Sequence, residues 1–498
     1  MNISFEDRVF GCWLGKSVGG TLGLPAEGRM ERLYFSFYDP IPAVAPPNDD
    51  LELQLVWLHM LETRGATLTR DDFAMAWLEH IHYMWDEYGR CRWNLRRGIP
   101  LDNVGTFENP FGSGMGSPIR SEIWACLFAG DPSSAAHYAA LDASLDHGTE
   151  GIAGEVFLAY MQSLVAHGSQ LKSSISAAHE VIPSSSETAQ AIGLVRSHFE
   201  SSLPAWESWS QIVAQHHSDN FTHAPLNVAL IVWALLYGKE DFDDTLLFAV
   251  NGGYDTDCTA ATAGATLGLT LGAEGIPGRW IAPIGEEIFI GPGILGISAP
   301  RTIRELTART MALVGKLEAK PLTRDVWNPP QAIPNEADLP GTIFMTPLGG
   351  GAPVLWSNGE LPEQVKLAGG GTWDWEVTDE ACRKVLCLAS GGATLWIDGE
   401  KVVRCPAGLP YVPAPHRCPN GSLVEVTVLP GTHSVRVELA VQTAHQKACA
   451  LLAYPNFHLC PWTAEELPAA AELAPETSNL APMIHSDFSS KIPVFLHA

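Results

Sequence analysis

Residues 251–272 read NGGYDTDCTAATAGATLGLTLG. Two glycines and two carboxylates come first, and no charged residue follows Asp257 in this stretch. Ala, Thr, Leu and Gly make up nearly all of the rest, without the strict alternation that is typical of a strand. The stretch therefore predicts a mostly buried helix over residues 258–272, and its small side chains predict close packing against other helices.

The same small and apolar composition recurs through the first two-thirds of the chain. No heptad repeat is sustained, which argues against a coiled coil. We therefore expect an all-α helical bundle over residues 1–325. Its predicted helices cover residues 51–61, 72–84, 151–165, 225–237, 242–250 and 258–272.

The pattern changes near residue 326. Four prolines fall in the stretch WNPPQAIPNEADLPG that ends at Gly341, so residues 326–342 are predicted to be a linker. We expect a β-sandwich or jelly-roll domain over residues 343–460, followed by a tail over residues 461–498.

Turn signals support the β prediction. Residues 393–404 read ATLWIDGEKVVR, in which an Asp-Gly pair separates two strand-like runs, as in a hairpin. Residues 423–429 and 434–441 alternate apolar and polar side chains on either side of a Pro-Gly turn. This part weakly resembles carbohydrate-binding modules and protective-antigen-type sandwiches, which implies that it binds glycans, covers the helical domain or forms a homo-oligomer.

The charge balance excludes several functions. The 498 residues include 30 Lys and Arg against 56 Asp and Glu, a net charge of −26, while only 17% of residues are charged and 46% are hydrophobic. Disorder would need low hydrophobicity, and nucleic-acid or membrane-surface binding would need a basic excess. With no signal peptide and no CxxC pair, we expect a reduced, cytoplasmic protein that binds neither nucleic acid nor membranes.

Two acidic clusters stand directly before predicted helices: Asn48-Asp49-Asp50, and Asp255-Thr256-Asp257-Cys258. One interpretation is helix capping, which Asn and Asp favour. A cap needs one side chain, however, and each cluster supplies two carboxylates, whose mutual repulsion a cation would offset. Because Mg²⁺ prefers such oxygen ligands, the two clusters suggest a two-metal site.

Several further motifs keep a fixed order with these clusters. They are RVFGCWLG at residues 8–15 with Gly19, Gly23, Pro25 and Glu27; Asn48-Asp49-Asp50; GSGMGSPIR at residues 112–120; Asp146-His147; and NGGYDTDC at residues 251–258. In this order the chain resembles the ADP-ribosylglycohydrolase family over roughly residues 5–285. That family includes the glycohydrolase that removes ADP-ribose from dinitrogenase reductase.

The resemblance implies an all-α fold with a centre of two Mg²⁺ ions, Mn²⁺ being an alternative, and a glycoside hydrolase that cleaves a ribosyl N- or O-glycosidic bond. The implied metal ligands are Asn48, Asp49, Asp50, Asp255, Asp257 and Cys258. The implied catalytic residues are Glu27, Asp49 and Asp257, with Glu27 as the acid/base or gating group. The implied substrate-binding residues are Gly112, Ser113, Gly114, Met115, Gly116, His147, Gly253 and Tyr254.

Two positions depart from the family pattern. Asn48 and Cys258 stand where the family has Thr, and a neutral thiol is a poor ligand for Mg²⁺. Either Thr259 replaces the missing hydroxyl, or one metal has one ligand fewer, or the cation differs.

Three functions therefore stand side by side. The first is hydrolysis of a small-molecule or protein-linked ADP-ribosyl glycoside. The second is hydrolysis by the same fold of a nucleoside or small-molecule glycoside without ADP-ribose. The third is a non-catalytic ligand-binding protein, which retention of all four aspartates argues against.

Overall fold

The computed structural model describes residues 3–65, 67–323, 327, 336–465 and 467. The chain forms two compact units, the first of residues 1–81, 86–95 and 99–333, and the second of residues 82–85, 96–98 and 334–498. The predicted boundaries 1–325, 326–342, 343–460 and 461–498 stay predictions. Residues 326 and 328–335 of the predicted linker and residues 466 and 468–498 of the predicted tail lie outside the described residues.

Helices build the first unit, as predicted. Its described residues form α1 (Phe5–Gly23), α2 (Asp49–Arg64), α3 (Arg70–His80), α4 (Asp86–Arg96), α5 (Ser121–Leu127), α6 (Pro132–Ala143), α7 (Thr149–Ala166), α8 (Leu171–His179), α9 (Glu187–Glu200), α10 (Ala205–His216), α11 (Ala224–Tyr237), α12 (Phe242–Asn251), α13 (Thr256–Leu271), α14 (Gly278–Ile281) and α15 (Ile303–Leu313), with Arg96 at the end of α4 counted in the second unit.

The helix predicted over residues 72–84 is too long at its end. Helix α3 ends at His80, and Ile81 adopts an extended backbone that pairs with Ile294. Residues 82–85 then belong to the second unit. The periodic apolar side chains suggested a longer helix because burial in a different unit leaves the same pattern in the sequence.

Glycines determine how α1 packs on α13. A Cβ atom on Gly15 would lie 2.1 Å from the carbonyl oxygen of Gly264, and one on Gly19 would lie 2.0 Å from that of Ala260. Gly23 stands equally close to Thr256. Because the numbers rise along α1 as they fall along α13, the helices are antiparallel, and the end of α1 lies beside the start of α13.

The second unit contains two antiparallel sheets. Its strands are β1 (Ile343–Pro347), β2 (Val354–Trp356), β3 (Gly359–Glu360), β4 (Gly370–Val377), β5 (Ala381–Ala389), β6 (Ala393–Ile397), β7 (Glu400–Cys405), β8 (Leu423–Val428), β9 (Gly431–Leu439) and β10 (Ala448–Ala453), and a short helix α16 covers Glu363–Leu367. The strand orders are β2-β1-β4-β9-β6-β7 and β3-β10-β5-β8, so neither sheet closes. Side chains from both sheets share one hydrophobic core, which confirms the predicted β domain.

The β6–β7 hairpin is confirmed, with Asp398 and Gly399 at positive φ of 50° and 82° in its turn. The strands around the Pro-Gly turn behave differently. Strand β8 pairs with β5, whereas β9 pairs with β4 and β6 in the other sheet. The turn therefore carries the chain from one sheet to the other.

None of the helices in the described part of the chain combines the length and hydropathy that crossing a membrane requires. All ten cysteines are free thiols.

Candidate active site

Two helix starts meet at the site, and neither uses its carboxylates as a cap. At the start of α2 the Asn48 side-chain oxygen accepts a hydrogen bond of 2.7 Å from the backbone N–H of Asp50. At the start of α13 Asp255 occupies the capping position but makes no side-chain capping bond. The capping interpretation thus holds for Asn48, and the aspartates remain available for another role.

The aspartates and two other side chains form two groups of three, which we call the thiol triad and the carboxylate triad. The thiol triad is Asp50, Asp257 and Cys258; the carboxylate triad is Glu27, Asp255 and Asp257. Within each triad one ligand atom per residue lies within 4.8 Å of the other two. Asp257 belongs to both, so the triads form one continuous cluster.

Two oxygens of this cluster have no hydrogen-bond donor among the described residues. They are Oδ2 of Asp50 and Oδ1 of Asp257, on side chains that are 1% and 4% exposed. A buried carboxylate oxygen without a partner is costly unless something else contacts it. The cluster therefore has the composition and the free oxygens of a cation site.

Burial and mutual repulsion disfavour charge here in the protein alone. Burial, the largest cause, raises the pKa of Asp50 to about 7 and that of Asp257 to about 6. Burial followed by the charges of Asp257 and Glu27 raises the pKa of Asp255 well above its usual value. The Cys258 thiol, beside these acids, has its pKa raised for the same reasons. A bound cation would reverse this electrostatic balance.

Asp49 lies next to the cluster without joining either triad of the described residues, and Asn48 lies beside Asp257. The Asn48 side-chain nitrogen donates to Oδ2 of Asp257 at 3.3 Å. Oδ2 of Asp49 accepts a hydrogen bond of 3.3 Å from the Tyr88 hydroxyl, and burial raises its pKa to about 7. The structure thus gives Asn48 a capping and orienting role, while its predicted ligand role stays a prediction.

A short backbone pairing holds Glu27 at the cluster. Glu27 follows a 3₁₀ turn at Leu24–Ala26. The N–H of Gly28 donates to the carbonyl of Tyr254, and the N–H of Tyr254 donates to that of Arg29, both at 2.9 Å. These two backbone hydrogen bonds join the segment after α1 to the segment before α13, and so bring Glu27 into the carboxylate triad.

Gly253 and Tyr254 make this pairing possible. Both have positive φ, 73° and 67°, and a Cβ atom on Gly253 would lie 2.2 Å from the carbonyl oxygen of Glu31. Tyr254 is only 1% exposed, and its hydroxyl lies 3.0 Å from Nδ1 of His217. These contacts give both residues a positioning role, while their predicted substrate-binding role stays a prediction.

The glycine-rich loop packs on a buried carboxylate. Cβ atoms on Gly114 and Gly116 would lie 2.8 Å and 2.3 Å from Glu87 oxygens, and the N–H of Gly116 donates to Glu87 at 3.0 Å. The Tyr88 hydroxyl, which contacts Asp49, lies 3.3 Å from the carbonyl of Gly116. The loop is therefore linked to the cluster. Its buried residues are Gly114, Met115 and Gly116, and its half-buried ones are Gly112 and Ser113.

His147 supports this loop from behind. It is fully buried, with Nδ1 at 2.8 Å from Asp146 and Nε2 at 3.4 Å from Glu87. Burial alone would lower its pKa, but the two carboxylates outweigh burial and raise the pKa to about 9. Through these contacts His147 positions the loop, while its predicted substrate-binding role stays a prediction.

Sequence reasoning missed a buried lysine behind the cluster. Lys16 of α1 is 1% exposed, and its ammonium lies 3.5 Å from Oδ1 of Asp50 and 3.1 Å from Oε1 of Glu122. Gln54 donates to the other Glu122 oxygen at 2.9 Å. The signal was a single charge in the otherwise apolar and glycine-rich run GCWLGKSVGG.

Sequence reasoning also missed the role of Arg120. This side chain is fully buried, and its guanidinium pairs with the carboxylates of Asp142 and Asp146 at 2.8 Å and 2.7 Å. Glu155 is buried beside this group, and burial followed by Asp142 raises its pKa well above the usual value. Burial therefore favours the neutral form of the Glu155 carboxyl inside the helical core.

Comparisons with known proteins identify the family to which the chain belongs. A family model, ADP-ribosylglycohydrolase, matches residues 1–319 of the 498-residue chain. The chain belongs to the ADP-ribosylglycohydrolase family, and the resemblance found in its sequence motifs is confirmed.

Individual relatives are distant. An uncharacterized protein of Archaeoglobus fulgidus is 24% identical over 320 residues, which cover 57% of this chain and 94% of that protein. A solved structure of an ADP-ribosylglycohydrolase-related protein complex is 22% identical and has a TM-score of 0.43, over 62% of this chain and 98% of its own.

Proposed function

We propose that this protein is a cation-dependent hydrolase that cleaves a ribosyl N- or O-glycosidic bond at the cluster formed by the two triads. Family membership supports hydrolase activity of the ADP-ribosylglycohydrolase type and implies an ADP-ribosylated substrate. The observation that carries the proposal is the convergence of Asp50, Asp255 and Asp257 with Glu27 on one cluster, in which two buried carboxylate oxygens have no hydrogen-bond donor among the described residues.

The residues present fit divalent cations. The carboxylate triad offers only oxygen donors, which suit Mg²⁺ or Mn²⁺, and Asp257 belongs to both triads. When bound, such ions orient the hydroxyls of a ribose and polarise the oxygens they contact. Asp50, Asp255 and Asp257 would hold them, with Asp49 adjacent.

Glu27 is the group best placed to move a proton. Glycoside cleavage passes through an oxocarbenium-like state and needs a proton delivered to the leaving group or taken from the attacking water. Glu27 is half-buried, so part of it remains accessible from solvent, and its carboxylate borders Asp255 and Asp257. Gly112 and Ser113, the half-buried part of the loop, are proposed to receive the ribose and phosphates.

Cation binding tests this proposal. In titration calorimetry we expect wild type to bind Mg²⁺ and Asp257→Asn to bind it about tenfold or more weakly, since the variant loses a ligand shared by both triads. Asp241→Asn is the matched control, because Asp241 also stands at a helix start but its side chain only caps α12. Wild type without Mg²⁺ binding, or Asp257→Asn equal to wild type, would contradict the proposal.

A substrate screen distinguishes the alternatives. Purified protein with Mg²⁺ is incubated with ADP-ribosyl-arginine, ADP-ribosyl-serine, nucleosides and aryl glycosides, and the released sugar is quantified. We expect free ADP-ribose from one of the first two. Release from only the last two would support the alternative hydrolase without ADP-ribose, and no release despite bound cation would support the ligand-binding protein. Cytoplasmic location and homo-oligomerisation through the second unit stay predictions.

A further inference from the structure

The two triads differ in the chemistry of their donors. The carboxylate triad presents three carboxylates, whereas the thiol triad presents two carboxylates and the sulfur of Cys258. Mg²⁺ is a hard cation that takes oxygen ligands, while thiolates favour Zn²⁺ and other borderline or soft cations. Two neighbouring sites with unlike donors are therefore not expected to prefer the same ion.

Lys16 makes this difference larger. Its buried ammonium lies 3.5 Å from Oδ1 of Asp50, while Oδ2 of Asp50 is buried without a hydrogen-bond donor among the described residues. Only one oxygen of Asp50 is thus left for a cation, and the positive charge of Lys16 weakens the electrostatic attraction of this triad for any divalent cation. The bond from the Cys258 sulfur therefore contributes a larger share of cation binding at this triad than it would without Lys16.

Thr259 does not replace the sulfur. Its hydroxyl lies 3.3 Å from the carbonyl oxygen of Thr256 and 3.5 Å from that of Ala249, and donates to these backbone groups. The side chain is completely buried in the helix packing. Because the Cys258 sulfur lies in the thiol triad beside Asp50 and Asp257, we favour a different cation among the three explanations that the sequence left open.

We propose that the thiol triad binds a thiophilic divalent cation such as Zn²⁺, while the carboxylate triad binds Mg²⁺, with Asp257 shared between them. Binding breaks the S–H bond of Cys258 and forms a sulfur–metal bond, and the proton leaves to the buffer. The inference rests on the cation site of the proposed function and deepens it by naming the two ions.

Co²⁺ is a spectroscopic probe for this arrangement, because a cysteine thiolate bound to Co²⁺ gives a strong ligand-to-metal charge-transfer absorption in the near ultraviolet. Co²⁺ is added to metal-free protein in the presence of saturating Mg²⁺. We expect the band to grow to one equivalent of Co²⁺ and to disappear when Zn²⁺ is added. Mg²⁺ binding is followed separately by calorimetry on the same preparation.

Variants assign the band to one sulfur. Cys258→Ser, which is nearly isosteric, should abolish the band and weaken Zn²⁺ binding by about tenfold or more, and Cys258→Thr should do the same while Mg²⁺ binding is retained. Cys382→Ser is the matched control, because Cys382 lies half-buried on β5 of the second unit. It should give the wild-type band.

The outcomes separate this inference from the proposed function. If wild type binds Mg²⁺ but Co²⁺ gives no charge-transfer band, or gives an equal band in a folded Cys258→Ser variant, the thiol triad does not bind through sulfur and the inference is wrong, while the proposed function stands. If neither Mg²⁺ nor Co²⁺ binds, both are wrong.

Discussion

A single buried lysine balances part of the negative charge at the site. Burial alone would lower the pKa of the Lys16 ammonium, but the carboxylates of Glu122 and Asp50 raise it above its usual value. Lys16 therefore remains charged inside the helical core. Because the same ammonium touches Asp50 and Glu122, it connects α1 to both α2 and α5 through one charge.

Replacing Lys16 should lower the free energy of unfolding by more than the loss of the contacts of one side chain. Lys16→Met leaves Glu122 and Asp50 buried without their cation, and we expect the free energy of unfolding of the metal-free protein to fall by about 3 kcal/mol. Thermal or denaturant unfolding followed by circular dichroism measures this change. Adding Glu122→Gln removes the uncompensated charge and should restore part of the stability.

The double variant decides the explanation, because interacting residues give non-additive effects. Two results would contradict this explanation. One is a Lys16→Met variant with the unfolding free energy of wild type. The other is a double variant whose loss of unfolding free energy equals the sum of the losses of Lys16→Met and Glu122→Gln.

For individual residues, the sequence predicted some roles and not others. The aspartate pairs at the helix starts were found because two adjacent carboxylates are unusual at a cap, and the structure brings Asp50, Asp255 and Asp257 together with Glu27. Lys16 could not be found, since its partner Glu122 is 106 residues away and nothing in the local sequence shows that both are buried.

Among the elements, α1 and α13 form the framework that brings the two acidic segments together. The glycine spacing along α1 and the small residues along α13 are visible in the sequence and predicted close packing. What the sequence did not show is that these two helices pack on each other and run antiparallel, because spacing within a helix does not identify its partner.

Gly19→Ala tests this packing. The added Cβ would stand 2.0 Å from the carbonyl oxygen of Ala260, and neither helix backbone can move away without losing its other close contacts. We expect a loss of about 2–3 kcal/mol in the free energy of unfolding, against a gain of at most about 1 kcal/mol from the better helix propensity of Ala.

Gly278→Ala is the matched control for that measurement. Gly278 begins α14, and an added Cβ there meets no atom within 4 Å. This variant should unfold at the wild-type temperature or slightly above it. Equal unfolding of Gly19→Ala and Gly278→Ala would contradict the account of α1 and α13.

In the second unit, the sequence predicted a hairpin between neighbouring strands but not the pairing of strands that are distant in the chain. The Asp-Gly turn predicted the β6–β7 hairpin because the turn itself fixes the pairing of its two strands. Alternation predicted β8 and β9 but could not show that they join different sheets, since both positions leave the same pattern of one buried face.

For the whole molecule, the net charge of −26 is a weak guide to the substrate. Five of the 56 acidic residues, Glu27, Asp49, Asp50, Asp255 and Asp257, form the proposed site or border it. The remaining acids create a field that opposes an anionic ADP-ribose. Cations at the two triads would offset this repulsion locally, which is a further reason why activity should depend on them.

The division into units shows another limit of sequence reasoning. The change of composition near residue 326 separated helices from strands, but it could not reveal that residues 82–85 and 96–98 belong to the second unit. Such short segments carry the same aromatic and basic residues as the helix between them, so no change of pattern marks the transfer.

Asp50, Asp255 and Asp257 are proposed to hold divalent cations as one site, with Glu27 beside them. Anomalous diffraction at the manganese edge, from crystals soaked in Mn²⁺, tests this proposal most directly. We expect a manganese peak within bonding distance of Asp257 on the side of Asp255, where the carboxylate triad offers only oxygen donors. A fully soaked crystal with no peak at Asp257, or with manganese only on surface acids, would contradict it.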